Sequence, residues 1–336
     1  MRLIALRLAS AVPTLIGVIV GTFLMTRLLP GDPAAYFAGP AATAETVEEL
    51  RHKLGLDRPL VEQFIVYVNG LAHGDLGKSL TSGQTVLDDL RNRLPASLEL
   101  TFYALLAAVG FGIPLGIGAA LRPGGWIDRI CSFVSTVAQA TPTFFLGLLL
   151  VFVFYYELGW SPAPLGRLDI IYSSPTDITG FWTVDTLLAG DLDTFRAVAA
   201  QLILPTITLA LFGLGPIARV TRASMIEVLG GDYIRTARAA GLPRRKVLWI
   251  YGFRNAVLPV LNTSGIVFSY MLGASVLVEK VFGWPGIGAY AIDAVLASDF
   301  APVQGFVLAM ALLYLIVNLA IDIAAGILDP KVRFDV

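Results

Sequence analysis

The sequence predicts an all-α membrane protein with six transmembrane helices and both termini cytoplasmic. Three observations carry that prediction. The 336-residue chain is 56% hydrophobic and only 15% charged, with a mean hydropathy of +0.74, whereas an ordinary soluble domain is about 25% charged. Six intervals free of Asp, Glu, Lys and Arg run for 19 to 27 residues and no other exceeds 12; a bilayer-crossing helix needs about 20 apolar residues. The net charge of −1 also conceals a segregation of sign. With the N-terminus inside, residues 1–7, 122–129, 219–254 and the tail after Asp322 hold 14 Lys or Arg against five acids, the bias expected of cytoplasmic segments.

Taken in order, residues 1–29 contain the first apolar run, Leu8 to Thr26. Arg2 and Arg7 precede it as they would a signal peptide, but 19 uncharged residues are long for a cleaved apolar region, so a retained span is expected. Residues 30–98 form an extracytoplasmic helical segment. Within it, Thr43 or Thr46 can cap a helix that Gly55 ends, with Glu45, Glu48 and Glu49 near its positive N-terminus. Arg58 to Gly74 can form a second, amphipathic helix with Phe64, Val68 and Leu71 on one side.

The core, residues 99–330, holds the remaining runs at about 100–121, 130–156, 197–218, 257–278 and 300–321, followed by a tail over 331–336. Its outer loop, 157–196, is rich in Pro, Gly, Ser and Asp and is expected to be irregular. Gly110, Gly112, Gly116 and Gly118 make the second run small-faced, which suits close helix packing. Polar uncharged side chains recur in the third run, including Gln139, and in the fifth as Asn262, Thr263, Ser264 and Ser269. They suit a water-accessible pathway and interhelical hydrogen bonding equally.

Few residues offer chemistry. The single Cys131 lies in an apolar run, and His52 and His73 have no second histidine at ligand spacing, so no metal site is expected. GDLGKS, Gly74 to Ser79, ends like a phosphate-binding loop but has Ala72 where that loop needs glycine and lacks its strand-to-helix context. No nucleotide site is assigned to the chain. Intramembrane catalysis would need paired groups, and a secondary transporter would show repeats and midplane charges; neither pattern is visible. Asp322 closes the sixth run at the cytoplasmic boundary, where anchoring explains it better than ion coupling.

The loop over 219–256 is the positive signal. Arg219, Arg222, Arg235, Arg238, Arg244, Arg245, Lys246 and Arg254 face only Glu227 and Asp232. Contact with anionic lipid would explain the charge. It would not explain the grammar of two short helices, with Asp232 as a cap, Gly241 in a left-handed C-terminal position and Pro243 opening the second. Tyr233, Ala237 and Ala240 fall at i, i+4 and i+7, a small and shallow face for a partner.

These residues resemble the EAA loop of ABC-transporter importer permeases, with Arg235, Thr236 and Ala237, then Gly241, then Leu258 and Pro259 at the family positions. The leading acid of the general pattern is replaced by Arg235 and the Gly-to-Pro interval is longer, both features of the dipeptide and oligopeptide branch. LPGDP (Leu29 to Pro33), GLDRP (Gly55 to Pro59), GDLGKS, LPASLEL (Leu94 to Leu100), RVTRASMIEVL (Arg219 to Leu229) and VEKVFGWPGIG (Val278 to Gly288) follow in the order of that branch's first permease subunit. The resemblance implies a type I importer fold in the inner membrane of a prokaryote. It also implies a homologous second permease subunit, an extracytoplasmic solute-binding protein, and two cytoplasmic ATPase subunits that bind ATP and Mg, leaving this chain without a cofactor and without a nucleic-acid partner. Tyr233 to Gly241 would be the coupling helix. The cargo would be dipeptides or short oligopeptides, or alternatively a nickel complex, an opine, glutathione or a small oligosaccharide.

Overall fold

The computed structural model describes residues 2–28, 32–39 and 41–328. The LPGDP motif therefore lies partly, and the 331–336 tail wholly, outside the described residues. Regular structure among the described residues is helical, apart from one isolated antiparallel bridge between Lys78 and Thr85. The helices are α1 (Arg2–Leu28), α2 (Pro33–Ala38), α3 (Ala44–Lys53), α4 (Leu60–Ala72), α5 (Val86–Leu121), α6 (Trp126–Ala140), α7 (Thr143–Leu150), α8 (Trp182–Leu188), α9 (Leu192–Leu229), α10 (Asp232–Ala239), α11 (Arg244–Lys246), α12 (Arg254–Val281), α13 (Ile287–Leu296) and α14 (Phe300–Leu328).

Among the described residues, four helices are long and apolar enough to cross a membrane: α5, α9, the continuous helix Arg244–Val281 and α14. The third apolar run, expected as one span over 130–156, is instead broken. α6 meets α7 and its π-helical continuation Val151–Glu157 at a bend of 105°. The cause is local: Pro142 forces the residue before it out of the helical region, and Thr141 sits at φ −96°, ψ 124°. Counted as one span, this pair makes a fifth. The first apolar run, Leu8 to Thr26, lies within the 27-residue α1.

Helix bounds outrun the apolar runs. α5 begins at Val86, well before Leu100, and runs on through Pro95, while α9 continues to Leu229 through a polar stretch, 219–229, that has no glycine or proline. The outer loop is not irregular throughout either, since it contains α8.

The chain divides into two compact units, one formed by the described residues of Met1–Pro95 with Pro285–Leu315, the other by those of Ala96–Trp284 with Ile316–Val336. In the first, Thr43 caps α3 by accepting from the Thr46 N–H, and Gly55 follows at φ +64°. α4 packs against the last turns of α1, with the Phe23 ring 5.2 Å from Phe64 and 5.9 Å from Tyr67. Its inward residues are thus Phe64, Tyr67 and Leu71; Val68, expected among them, is exposed. A core of Val86, Leu90, Ile287 and Tyr290 completes the unit. The GDLGKS motif serves as a turn: the Ser79 hydroxyl donates to Asp299 Oδ2 at 2.8 Å, as does the Thr81 N–H at 3.0 Å.

In the second unit, α6, α7, α8 and α12 all pack on α9. Lipid offers helices no hydrophobic drive to associate, so contact depends on close approach at small residues. A Cβ on Gly116 would lie 2.5 Å from the Ala218 carbonyl oxygen and 2.6 Å from Thr221 Cβ, so α5 and α9 meet backbone to backbone there. Gly213 takes the Met271 methyl, and Gly265 takes the Ile321 side chain. Cys131 is buried in this core.

Candidate functional site

The loop between α9 and α12 has a defined shape. Gly231, extended at φ −69°, ψ 153°, starts α10 and makes no side-chain cap. Asp232 is therefore not the cap but the first helical residue, where its carboxylate favours the positive helix end and pairs with Arg235. The C-terminus closes as a Schellman motif. The Gly241 N–H donates to the Arg238 carbonyl at 3.0 Å and the Leu242 N–H to the Ala237 carbonyl at 3.2 Å. That geometry requires a left-handed residue, and Gly241 supplies it at φ +74°.

Pro243 then opens a helix that does not stop. The sequence suggested a short second helix, but α11 runs through a π-helical stretch, Val247–Phe253, into α12, because nothing between Lys246 and Arg254 breaks it. Ile234 and Ala237 are buried against Val247, with Leu242 and Tyr251 packed around them. α10 is thus fixed to the helix that continues as α12, rather than held on a free loop.

This packing corrects the expected docking face. Ala237 is occupied by the loop's own core and is not available to a partner. The outward side of α10 carries Tyr233, Arg235, Thr236 and Ala240. Trp249 and Ile250 on the following helix are exposed as well, which the charge pattern gave no reason to expect. Leu258 is half-buried and Pro259 exposed in the first turns of α12. At the base of α9, Arg222 clamps Asp128 through two hydrogen bonds, 2.5 and 2.9 Å, and the Gly124 N–H donates to the same carboxylate at 2.8 Å.

The polar residues considered as pathway-lining are not brought together. Gln139 is exposed on α6 and accepts from Arg219 at 3.4 Å. Ser264 and Ser269 turn their hydroxyls back to the Val260 and Gly265 carbonyls of their own helix. Thr263 is half-buried, and Asn262 is exposed on α12.

A buried polar cluster escaped the sequence reading. Glu99 is wholly buried and pairs with Arg167 at 2.6 Å; its other oxygen accepts from the Thr183 N–H at 2.9 Å and hydroxyl at 2.7 Å. Arg167 also lies over the Trp182 ring, 4.2 Å from its centre. Among the described residues, no group of three or more His, Cys, Asp or Glu could hold a metal ion. His52 is taken by Asp57, and His73 by the Asn69 carbonyl.

Residues 112–334 match the family described as "Binding-protein-dependent transport system inner membrane component", and residues 1–101 match the N-terminal segment of such membrane components. The chain is 43% identical over 316 residues to the probable D,D-dipeptide transport system permease protein DdpB of Escherichia coli K12, covering 94% of this chain and 93% of that protein. It is 41% identical over 331 residues to the di/tripeptide transport system permease protein DppB of Pseudomonas aeruginosa UCBPP-PA14, covering 98% of both. With the dipeptide transport system permease protein DppB of E. coli K12 it shares 37% identity over 337 residues, 99% of both chains.

Proposed function

Because the chain belongs to the inner membrane components of binding-protein-dependent transport systems, we propose that it carries di- or tripeptides across a prokaryotic inner membrane, driven by ATPase subunits that dock on the loop around α10. The family is a membrane permease component of ABC importers rather than a catalytic domain. Peptide cargo is supported by relatives named for dipeptide, D,D-dipeptide and di/tripeptide transport at 37–43% identity. In this reading the chain has six spans with both termini cytoplasmic. A homologous permease subunit supplies the other half of the pathway, a solute-binding protein delivers peptide from outside, and two ATPase subunits bind ATP and Mg below.

The observation that carries the coupling role is the construction of α10. A short basic helix is closed by a Schellman turn and packed through Ile234 and Ala237 onto the helix that continues as α12. A push on such a helix passes into a span, so closure of an ATPase pair can bias the permease between two states. Polar residues such as Asn262 and Thr263, further along α12, would feel that movement.

The test uses exposed residues so that folding is not at issue. Arg235→Glu combined with Tyr233→Ala, in the reconstituted transporter, is expected to reduce peptide uptake and peptide-stimulated ATP hydrolysis together by at least about ten-fold, the loss of roughly 1.4 kcal/mol of docking energy. Assembly of the permease pair should be unchanged. Uptake and stimulated hydrolysis both within two-fold of wild type would remove α10 as the docking element.

A further inference from the structure

In the second unit, α6 sorts its exposed residues by polarity. At about 100° per residue, they fall on two adjacent stripes: Trp126, Ile130, Phe133 and Val137 on one, Arg129, Ser132, Thr136 and Gln139 on the other. The remaining side, with Asp128, Cys131, Ser135 and Ala138, is buried. It packs on α9, where the Ser135 hydroxyl donates to the Gly215 carbonyl at 3.2 Å and Arg222 donates to Asp128. The apolar stripe, with Trp126 and Phe133 each 69% exposed, suits acyl chains. The polar stripe does not, because lipid offers no partner to a side-chain amide or a charge. Thr136 is satisfied within the helix, donating its hydroxyl to the Ser132 carbonyl at 2.9 Å; the Gln139 amide has no such local partner to turn to. A helix sorted in this way stands at a boundary, with lipid on one side and water on the other.

The second observation is Arg219. Gly215, Arg219 and Arg222 recur on α9 at i, i+4 and i+7, so Arg219 stands on the face that meets α6. Its exposed side chain reaches Gln139 Oε1 at a long 3.4 Å, at the far end of the polar stripe, roughly three and a half turns past Trp126. Among the described residues that is the one hydrogen bond its guanidinium makes, so most of its N–H donors stay open to a ligand. The only acid on α6, Asp128, is buried and held by Arg222. The wall made by the stripe and Arg219 is therefore neutral-polar and cationic.

We infer that the polar stripe of α6 and Arg219 form one wall of the water-filled, cytoplasm-facing half of the translocation pathway, and that Arg219 takes the terminal carboxylate of a departing peptide. The inference rests on the peptide-permease reading and the orientation proposed above. Charge identifies the occupant. A peptide of any sequence with a free C-terminus carries a carboxylate, to which a guanidinium offers two parallel N–H bonds, and Ser132, Thr136 and Gln139 offer neutral partners to the rest of the backbone. A lipid phosphate would match Arg219 but would leave those three residues against acyl chains.

Thiol modification tests this in the full transporter, with Cys131→Ser and cysteine-free partner subunits, in inside-out vesicles with and without ATP. In the more reactive of the two states, Ser132→Cys and Thr136→Cys are expected to react with impermeant thiosulfonates at least about ten-fold faster than Phe133→Cys and Val137→Cys, since charged reagents do not enter hydrocarbon. Equal rates at all four positions would overturn the water boundary. At Thr136→Cys, an anionic reagent is expected to gain roughly five-fold over a cationic one, each normalised to a free thiol, when Arg219 is present. Arg219→Gln should abolish that preference and Arg219→Lys keep it. For the carboxylate, dialanine at about 20 mM on the cytoplasmic side is expected to slow modification of Thr136→Cys roughly three-fold, as a Kd of about 10 mM implies. Dialanine amide should not slow it, and dialanine should lose its effect in Arg219→Gln. Equal protection by acid and amide, or protection by neither, would overturn the role given to Arg219. Absence of di- and tripeptide uptake by the wild-type transporter would instead remove the peptide reading, whatever the pattern of thiol reactivity.

Discussion

Asp185 is wholly buried at the start of α8, and its carboxylate accepts from the Thr179 N–H at 2.8 Å and hydroxyl at 2.7 Å, the Gly180 N–H at 3.0 Å and the Ile178 N–H at 3.3 Å. Burial pushes the carboxyl up, but those donors together outweigh it and hold it below the usual carboxylate range. A depressed folded pKa contributes stability that is present above the unfolded value of about 3.9 and is lost as pH falls through the folded value. Asp185→Asn replaces one acceptor oxygen by a donor facing N–H groups, at an expected cost of about 1–3 kcal/mol. Thermal unfolding of the detergent-solubilised protein should show a lower midpoint for the variant at pH 7, and a smaller further drop for it than for wild type between pH 5 and pH 3. Identical midpoints at pH 7 would refute the role. None of this was legible in the sequence. The outer loop has neither helical nor strand periodicity, and Glu99 finds Arg167 68 positions away. Gly241 was legible, because a left-handed closure leaves a local mark: glycine just after a helix, followed by an apolar residue and proline.

At the scale of elements, the glycine-rich second run shows what composition can and cannot distinguish. Gly110 and Gly116 look alike in sequence, yet a Cβ on Gly110 would meet nothing within 4 Å, while one on Gly116 would strike the α9 backbone at Ala218. A carbonyl oxygen in a packed helix cannot swing aside as a side-chain tip can. Gly116→Ala is therefore expected to destabilise by about 1–3 kcal/mol, whereas Gly110→Ala should be neutral or stabilise by up to about 1 kcal/mol through helix propensity. Unfolding midpoints of the two single variants in detergent decide it; equal effects would mean that α5 and α9 do not cross at Gly116. The bend at Thr141–Pro142 has the opposite history. Its proline was in plain view, but a count of charge-free residues does not see breakers, so one continuous span was expected where the chain turns by 105°. Helix ends were missed for a related reason. Apolar runs report where lipid is, whereas α5 and α9 extend as far as hydrogen bonding and propensity carry them.

For the whole molecule, the orientation across the membrane decides whether α10 can act in the proposed coupling, since that role requires it to face the cytoplasm. Charge is the determinant: 14 Lys or Arg against five acids on the side assigned to the cytoplasm, a bias that sets orientation because basic residues resist translocation. The single cysteine makes this measurable, since Cys131 is buried and its replacement by Ser provides an unreactive background. In that background Ser174→Cys in the outer loop should react with an impermeant thiol reagent on intact cells, and Ala240→Cys, at the end of α10, only after permeabilisation. Both sites are exposed in this chain, so in cells that lack the ATPase subunits differences in reactivity report side rather than burial. Reaction of both cysteines on intact cells would place an odd number of crossings between residues 174 and 240 out of the question. The helix α9 would then not be a span, and a movement of α10 could not be driven from the cytoplasm.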